Sequence, residues 1–66
     1  NNVYAIENTE GTQYLSRFNR DLQRQARSTV PVHAHASVYF VDGTLLTQNR
    51  DGSVLLLRPG DLTESR

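Results

Sequence analysis

The stretch from Thr12 to Arg27, TQYLSRFNRDLQRQAR, decides how the fold is read. Its apolar members Tyr14, Leu15, Phe18, Leu22 and Ala26 recur at three- and four-residue spacing, the stripe that one face of an α-helix presents. Just upstream, Asn8 and Thr9 precede acidic Glu10. That order suits a helix N-terminus, because a side-chain oxygen accepts from free amides and a carboxylate complements the dipole. Gly11 weakens the first turn. Downstream, Val30 precedes Pro31 and is pushed toward extended geometry, so the spacing predicts a helix over residues 9–28.

Working outward, Val30 to Val41 alternates strictly. Val30, Val32, Ala34, Ala36, Val38 and Phe40 fall on one side, and Pro31, His33, His35, Ser37, Tyr39 and Val41 on the other, as in a long half-buried strand. Asp42-Gly43 follows, the pair that best tolerates the positive φ angles of a two-residue hairpin turn. A strand over Thr44–Gln48, a turn at Asn49-Arg50-Asp51-Gly52 and a third strand over Ser53–Arg58 complete a meander, which Pro59-Gly60 ends. In the other direction, Val3-Tyr4-Ala5-Ile6 is apolar enough to form a short extra strand or an ordered arm over residues 1–7. Residues 61–66 are polar apart from Leu62 and are expected to fray. No internal repeat is evident. The expected architecture is one α+β domain over 1–66, an amphipathic N-terminal helix packed on a three-stranded antiparallel meander at 30–58.

Counting outward from Asp42-Gly43 sets Phe40 opposite Leu45 and Tyr39 opposite Leu46. With a two- or four-residue second loop, one face carries Val38, Phe40, Leu45, Val54 and Leu56. The other carries Tyr39, Val41, Leu46, Leu55 and Leu57. One helix covers one face of a sheet, so the second cluster needs a cover: the Val3–Ile6 segment, Leu62, or a second molecule. An uncovered apolar face marks an interaction site, and an open strand edge is a template for pairing. The leading expectation is a non-enzymatic protein-interaction or oligomerisation domain, homodimeric through Tyr39, Val41, Leu46, Leu55 and Leu57 or through the edge of the long strand.

Composition narrows the alternatives. A chain of 66 residues buries only about 60% of its unfolded surface, and with no cysteine it has no disulfide to add stability. Seven basic residues, all arginine, balance seven acidic ones, so no overall field draws it to nucleic acid or an anionic membrane. No apolar run approaches the roughly 20 residues of a membrane-spanning helix. The chain lacks methionine, so Asn1 reads as the start of a processed or excised piece. Compartment is left open.

On the expected helix, Arg17, Arg20, Arg24 and Arg27 fall within a sector of about 80° opposite the apolar stripe. That strip is a candidate docking surface for an acidic protein or phosphates; the plainer reading is a solvated face. Nucleic acid is disfavoured, because aromatics interleaved with basic residues are missing. His33 and His35 share one side of the expected strand, but two imidazoles without a third ligand do not make a metal site. As general bases they would support a small hydrolase or nuclease. No nucleophile elbow, phosphate loop or metalloprotease motif accompanies them, so neither a cofactor nor catalysis is expected.

Overall fold

The computed structural model describes residues 2–65, and it is all β. Asn1 and Arg66, the outermost residues of the expected arm and tail, lie outside the described residues. Six strands, β1 (Val3–Thr9), β2 (Thr12–Phe18), β3 (Arg24–Arg27), β4 (Tyr39–Val41), β5 (Thr44–Gln48) and β6 (Val54–Leu57), form two three-stranded antiparallel sheets ordered β1-β2-β3 and β4-β5-β6. The expected amphipathic helix over 9–28 is not formed, and the α+β assignment is corrected accordingly.

The reason lies at Glu10-Gly11. Both have positive φ, 51° and 86°, so they close a two-residue hairpin of the type that matches strand twist, where the sequence suggested a helix cap. Asn8 Oδ1 accepts from the Gly11 amide at 2.9 Å and pins that turn. The hairpin then pairs Ile6 with Leu15 and Tyr4 with Arg17. A spacing of four is a multiple of two, so Tyr14 and Phe18 share a strand face as readily as a helix face. Thr12, Tyr14 and Phe18 also fit a pleated surface well. What only a helix would unite, Tyr14 with Leu15, the strand splits: Leu15 is fully buried and Tyr14 lies on the opposite face.

At Asn19 the chain leaves β2 through a five-residue loop. Asn19 Oδ1 accepts from the amides of Asp21 and Gln23, and the Asn19 amide donates to the Gln23 carbonyl at 3.0 Å. The loop after β5 repeats this plan. Asn49 Oδ1 accepts from Asp51 and Ser53, and the Asn49 amide donates to the Ser53 carbonyl at 2.8 Å. Each sheet is thus an acidic-Gly hairpin followed by an Asn-Arg-Asp loop and a third strand. The tripeptide Asn-Arg-Asp at 19–21 recurs at 49–51, so the two loops share a short sequence as well as a hydrogen-bond plan.

The long strand expected over 30–41 is confined to Tyr39–Val41, with Val32 bridged to Asn49. Residues 28–33 instead carry the chain from one sheet to the other. The Ser28 amide donates to the Leu15 carbonyl, Val32 to Gln13, and His33 to Gln48. Ala36 then bonds back to the His33 carbonyl at 3.1 Å in a turn. The alternation across 33–36 rests on two alanines, whose methyl groups bury too little to hold a straight strand.

Between the sheets lie Leu15, Val32, Leu45, Leu55, Leu57 and Leu62, flanked by Tyr4, Ile6, Ala26, Val30 and Val38. The molecule measures 32 × 32 × 17 Å, the thickness of two stacked sheets with their side chains. Residues 61–65 are bonded into the fold. Leu62 is fully buried, Thr63 accepts from the Arg58 amide, and the Ser65 amide donates to Leu56, which closes the outer edge of β6. Tyr4 Oη donates to the Pro59 carbonyl at 2.8 Å and Arg17 Nε to the Gly60 carbonyl at 2.9 Å, so the first sheet clamps the turn that starts the tail.

Candidate protein interface

The register around Asp42-Gly43 is as counted: Tyr39 faces Leu46, Phe40 faces Leu45, and Val41 faces Thr44. The second loop is different. Gln48 pairs with Val54, so residues 49–53 make a five-residue loop, and its odd length flips the face of every β6 residue relative to the expectation from an even loop. Leu45 is opposite Leu57, and Thr47 is opposite Leu55, all on the inner side. Gly52, at φ 93°, is the residue that makes this loop possible.

The consequence for the five expected interface residues is a split. Leu55 and Leu57 are core residues, buried between the sheets. Tyr39, Val41 and Leu46 lie on the outer side, and Val54 and Leu56 join them there. Tyr39, Val41, Val54 and Leu56 are exposed and Leu46 is half-buried. Tyr39, Leu46 and Leu56 form one cross-strand row; Val41 with Thr44 and Gln48 with Val54 form the rows on either side. Ser37, Tyr39, Leu46, Gln48 and Val54 line a shallow depression on this side. Phe40 points the other way yet is also exposed, touched edge-on by Tyr4 at 5.3 Å between ring centroids.

The outer side of the first sheet carries a polar cluster, with Val3 exposed beside it. Ser16, fully buried there, donates to Glu7 Oε1 at 2.6 Å, and Arg24 Nη1 pairs with the same oxygen at 3.1 Å. The Ser16 hydroxyl is the main cause that holds the Glu7 carboxyl below its ordinary value of 4.5; desolvation opposes it, and the Arg24 and Arg27 guanidiniums add to the lowering. Arg27 lies over the Tyr14 ring at 4.7 Å and donates to Thr9 Oγ1.

The four arginines expected on one helix face are therefore dispersed. Arg24 and Arg27 share the outer side of the first sheet and are engaged by Glu7, Tyr14 and Thr9. Arg17 is on the inner side, bonded to Gly60 and to Asn2 Oδ1. Arg20 is exposed in the Asn19–Gln23 loop. His33 and His35 sit in the irregular crossing rather than on a strand, with the His35 amide donating to His33 Nδ1 at 3.1 Å and the ring centroids 6.1 Å apart. Among the described residues no group of three His, Cys, Asp or Glu side chains gathers with the geometry of a metal site. A shallow cleft beside the crossing is lined by Val30, Pro31, Asn49, Arg50 and Asp51.

An even second loop assigns Val54 and Leu56 to the Phe40 face, and the five-residue loop moves them to the Tyr39 face. Gly52, the fourth residue of the 49–53 loop, is the available signal, since a left-handed glycine late in a hairpin loop accompanies loops longer than the two-residue turn. Comparisons with protein-family models, with curated proteins and with solved structures return no match to this chain.

Proposed function

We propose that this chain is a non-enzymatic protein-interaction domain that associates with a second copy of itself through the β4–β6 sheet. The observation that supports this reading is the concentration of exposed apolar side chains on that sheet, where Tyr39, Phe40, Val41, Val54 and Leu56 remain uncovered, while the first sheet's outer side carries the Glu7–Arg24 ion pair and, of the large apolar side chains, exposes Val3. The uncovered surface is on the order of 400 Å², the size at which an apolar patch marks an interaction site. Apposing two such surfaces with their polar rims reaches the range of roughly 1,000–1,500 Å² typical of specific but modest interfaces.

The test is oligomeric state. Sedimentation velocity and light scattering across micromolar to millimolar concentration are expected to show a mass rising toward twice the 7.5 kDa of the chain. A strict monomer throughout that range would refute the reading.

A further inference from the structure

We infer that the two copies join edge to edge, by antiparallel pairing of β4 with β4 of the second copy centred on Phe40, which builds one continuous six-stranded sheet. This rests on the self-association proposed above and specifies its geometry.

Three observations converge on β4. First, its residues are exposed on both sides of the sheet: Tyr39 at 58% and Val41 at 49% on the outer side, Phe40 at 59% on the inner. A partner stacked on the outer side would leave Phe40 bare. Only a strand added at the edge touches all three, because successive side chains alternate across it.

Second, β4 is an edge strand, and among the described residues no backbone bond reaches its outer edge. The edge of β6 is closed by the tail, and the edge strands of the first sheet carry Glu7, Arg24 and Arg27. Charges of that kind block edge pairing, and Tyr39-Phe40-Val41 has none.

Third, the strand is self-complementary. The pair flanking a two-residue turn, Val41 with Thr44, is the hydrogen-bonded kind, so the next pair, Phe40 with Leu45, is the other kind and the Phe40 amide and carbonyl point away from β5. A two-fold axis through Phe40 lets these groups exchange two hydrogen bonds with their counterparts, the isologous arrangement of a symmetric dimer. It sets Phe40 opposite Phe40 and Tyr39 opposite Val41, aromatic and β-branched pairs that favour sheets. No like charges meet. Three paired residues with their flanks make a small contact, near the lower limit of about 1,000 Å² for a specific interface, so the association is expected to be weak.

The experiment follows mass and amide exchange together in the intact chain. The expected result is a wild-type dimer in which hydrogen exchange at the Phe40 amide slows with the concentration dependence of the mass. Phe40→Pro removes a donor that serves nothing inside one copy, a position where edge strands accept proline. It is expected to keep the β-sheet circular dichroism and to weaken dimerisation at least tenfold. Should that variant fail to fold, Tyr39→Lys with Val41→Lys, both exposed, places lysine opposite lysine across the axis and is expected to be monomeric. Leu56→Glu, two strands from the edge, is expected to dimerise as the wild type does. Dimerisation unaffected by either β4 variant, or Phe40 exchange independent of concentration, overturns the edge pairing. If Leu56→Glu alone abolishes the dimer, the contact is the outer face: this inference fails and the proposed function stands. A monomeric wild type removes both.

Discussion

Leu22 and Leu62 share a backbone conformation, φ 61°, and differ in almost everything else. Leu22 is 70% exposed at the tip of a loop, whereas Leu62 is 0% exposed at the centre of the core. For an L-residue the left-handed region costs roughly 1–2 kcal/mol, and glycine escapes that cost while losing about 0.5–1 kcal/mol to its greater unfolded freedom. Leu22→Gly should therefore stabilise by about 0.5–1 kcal/mol. At Leu62 the same relief is outweighed by the lost burial, since truncating a fully buried leucine costs about 3 kcal/mol or more. Leu62→Ala retains the strain and loses the burial, so it should be the more damaging change, with Leu62→Gly milder by about 0.5 kcal/mol. A domain of this size holds only about 3–10 kcal/mol in all, and a loss of 3 kcal/mol lowers Tm by about 12–24 °C. Equilibrium urea denaturation followed by far-UV circular dichroism reads all three variants. If Leu62→Ala falls within about 0.5 kcal/mol of the parent, the tail is not part of the core. If Leu22→Gly destabilises, the loop does not hold its left-handed residue, and the reasoning fails at that end.

Thr47 is buried on the inner side, and its Oγ1 meets no partner among the described residues. Thr47→Val, close in shape and without the hydroxyl, should raise stability by about 1 kcal/mol in the same assay; a loss would show that the hydroxyl is satisfied. Leu55→Glu places a carboxylate in the core and should abolish the cooperative transition, while Leu56→Glu, one residue on, should leave it within about 1 kcal/mol of the parent. Equal effects from the two would contradict the five-residue loop. Because the folded Glu7 carboxyl titrates below its ordinary 4.5, its contribution is complete above that value and is lost as pH falls through the folded pKa. Ser16→Ala removes the main cause, so its stability deficit should be largest near neutrality and narrow below pH 4.5. A deficit that does not change with pH would refute the link.

The second sheet was largely legible in the sequence and the first was not. Asp42-Gly43 admits one turn geometry, and that alone gave the register of Tyr39, Phe40 and Val41 against β5. Glu10-Gly11 closes the same kind of turn, yet glutamate is an uncommon left-handed residue, and Asn8-Thr9 before it resembles a helix cap. The four-residue spacing of Tyr14, Phe18, Leu22 and Ala26 is shared by both periods, so only the pairing of Ile6 with Leu15, a tertiary fact, decides between them. The outer apolar side was foreseen in Tyr39, Val41 and Leu46. Leu55 and Leu57 were exchanged for Val54 and Leu56 by one loop residue. Leu62, alone among polar neighbours, shows no periodicity, and its burial follows from the clamp that Tyr4 and Arg17 place on Pro59-Gly60.

That clamp joins residues 55 positions apart, which bears on how the chain folds as it is made. Tyr4, Ile6 and Leu15 form a hairpin by local pairing, but the leucines that cover it lie at 45, 55, 57 and 62. At about 5–20 residues per second, the first sheet waits roughly 2–10 s on the ribosome for the second. During that interval the Tyr4, Ile6 and Leu15 side is bare apolar surface, and it closes fully only when Leu62 arrives.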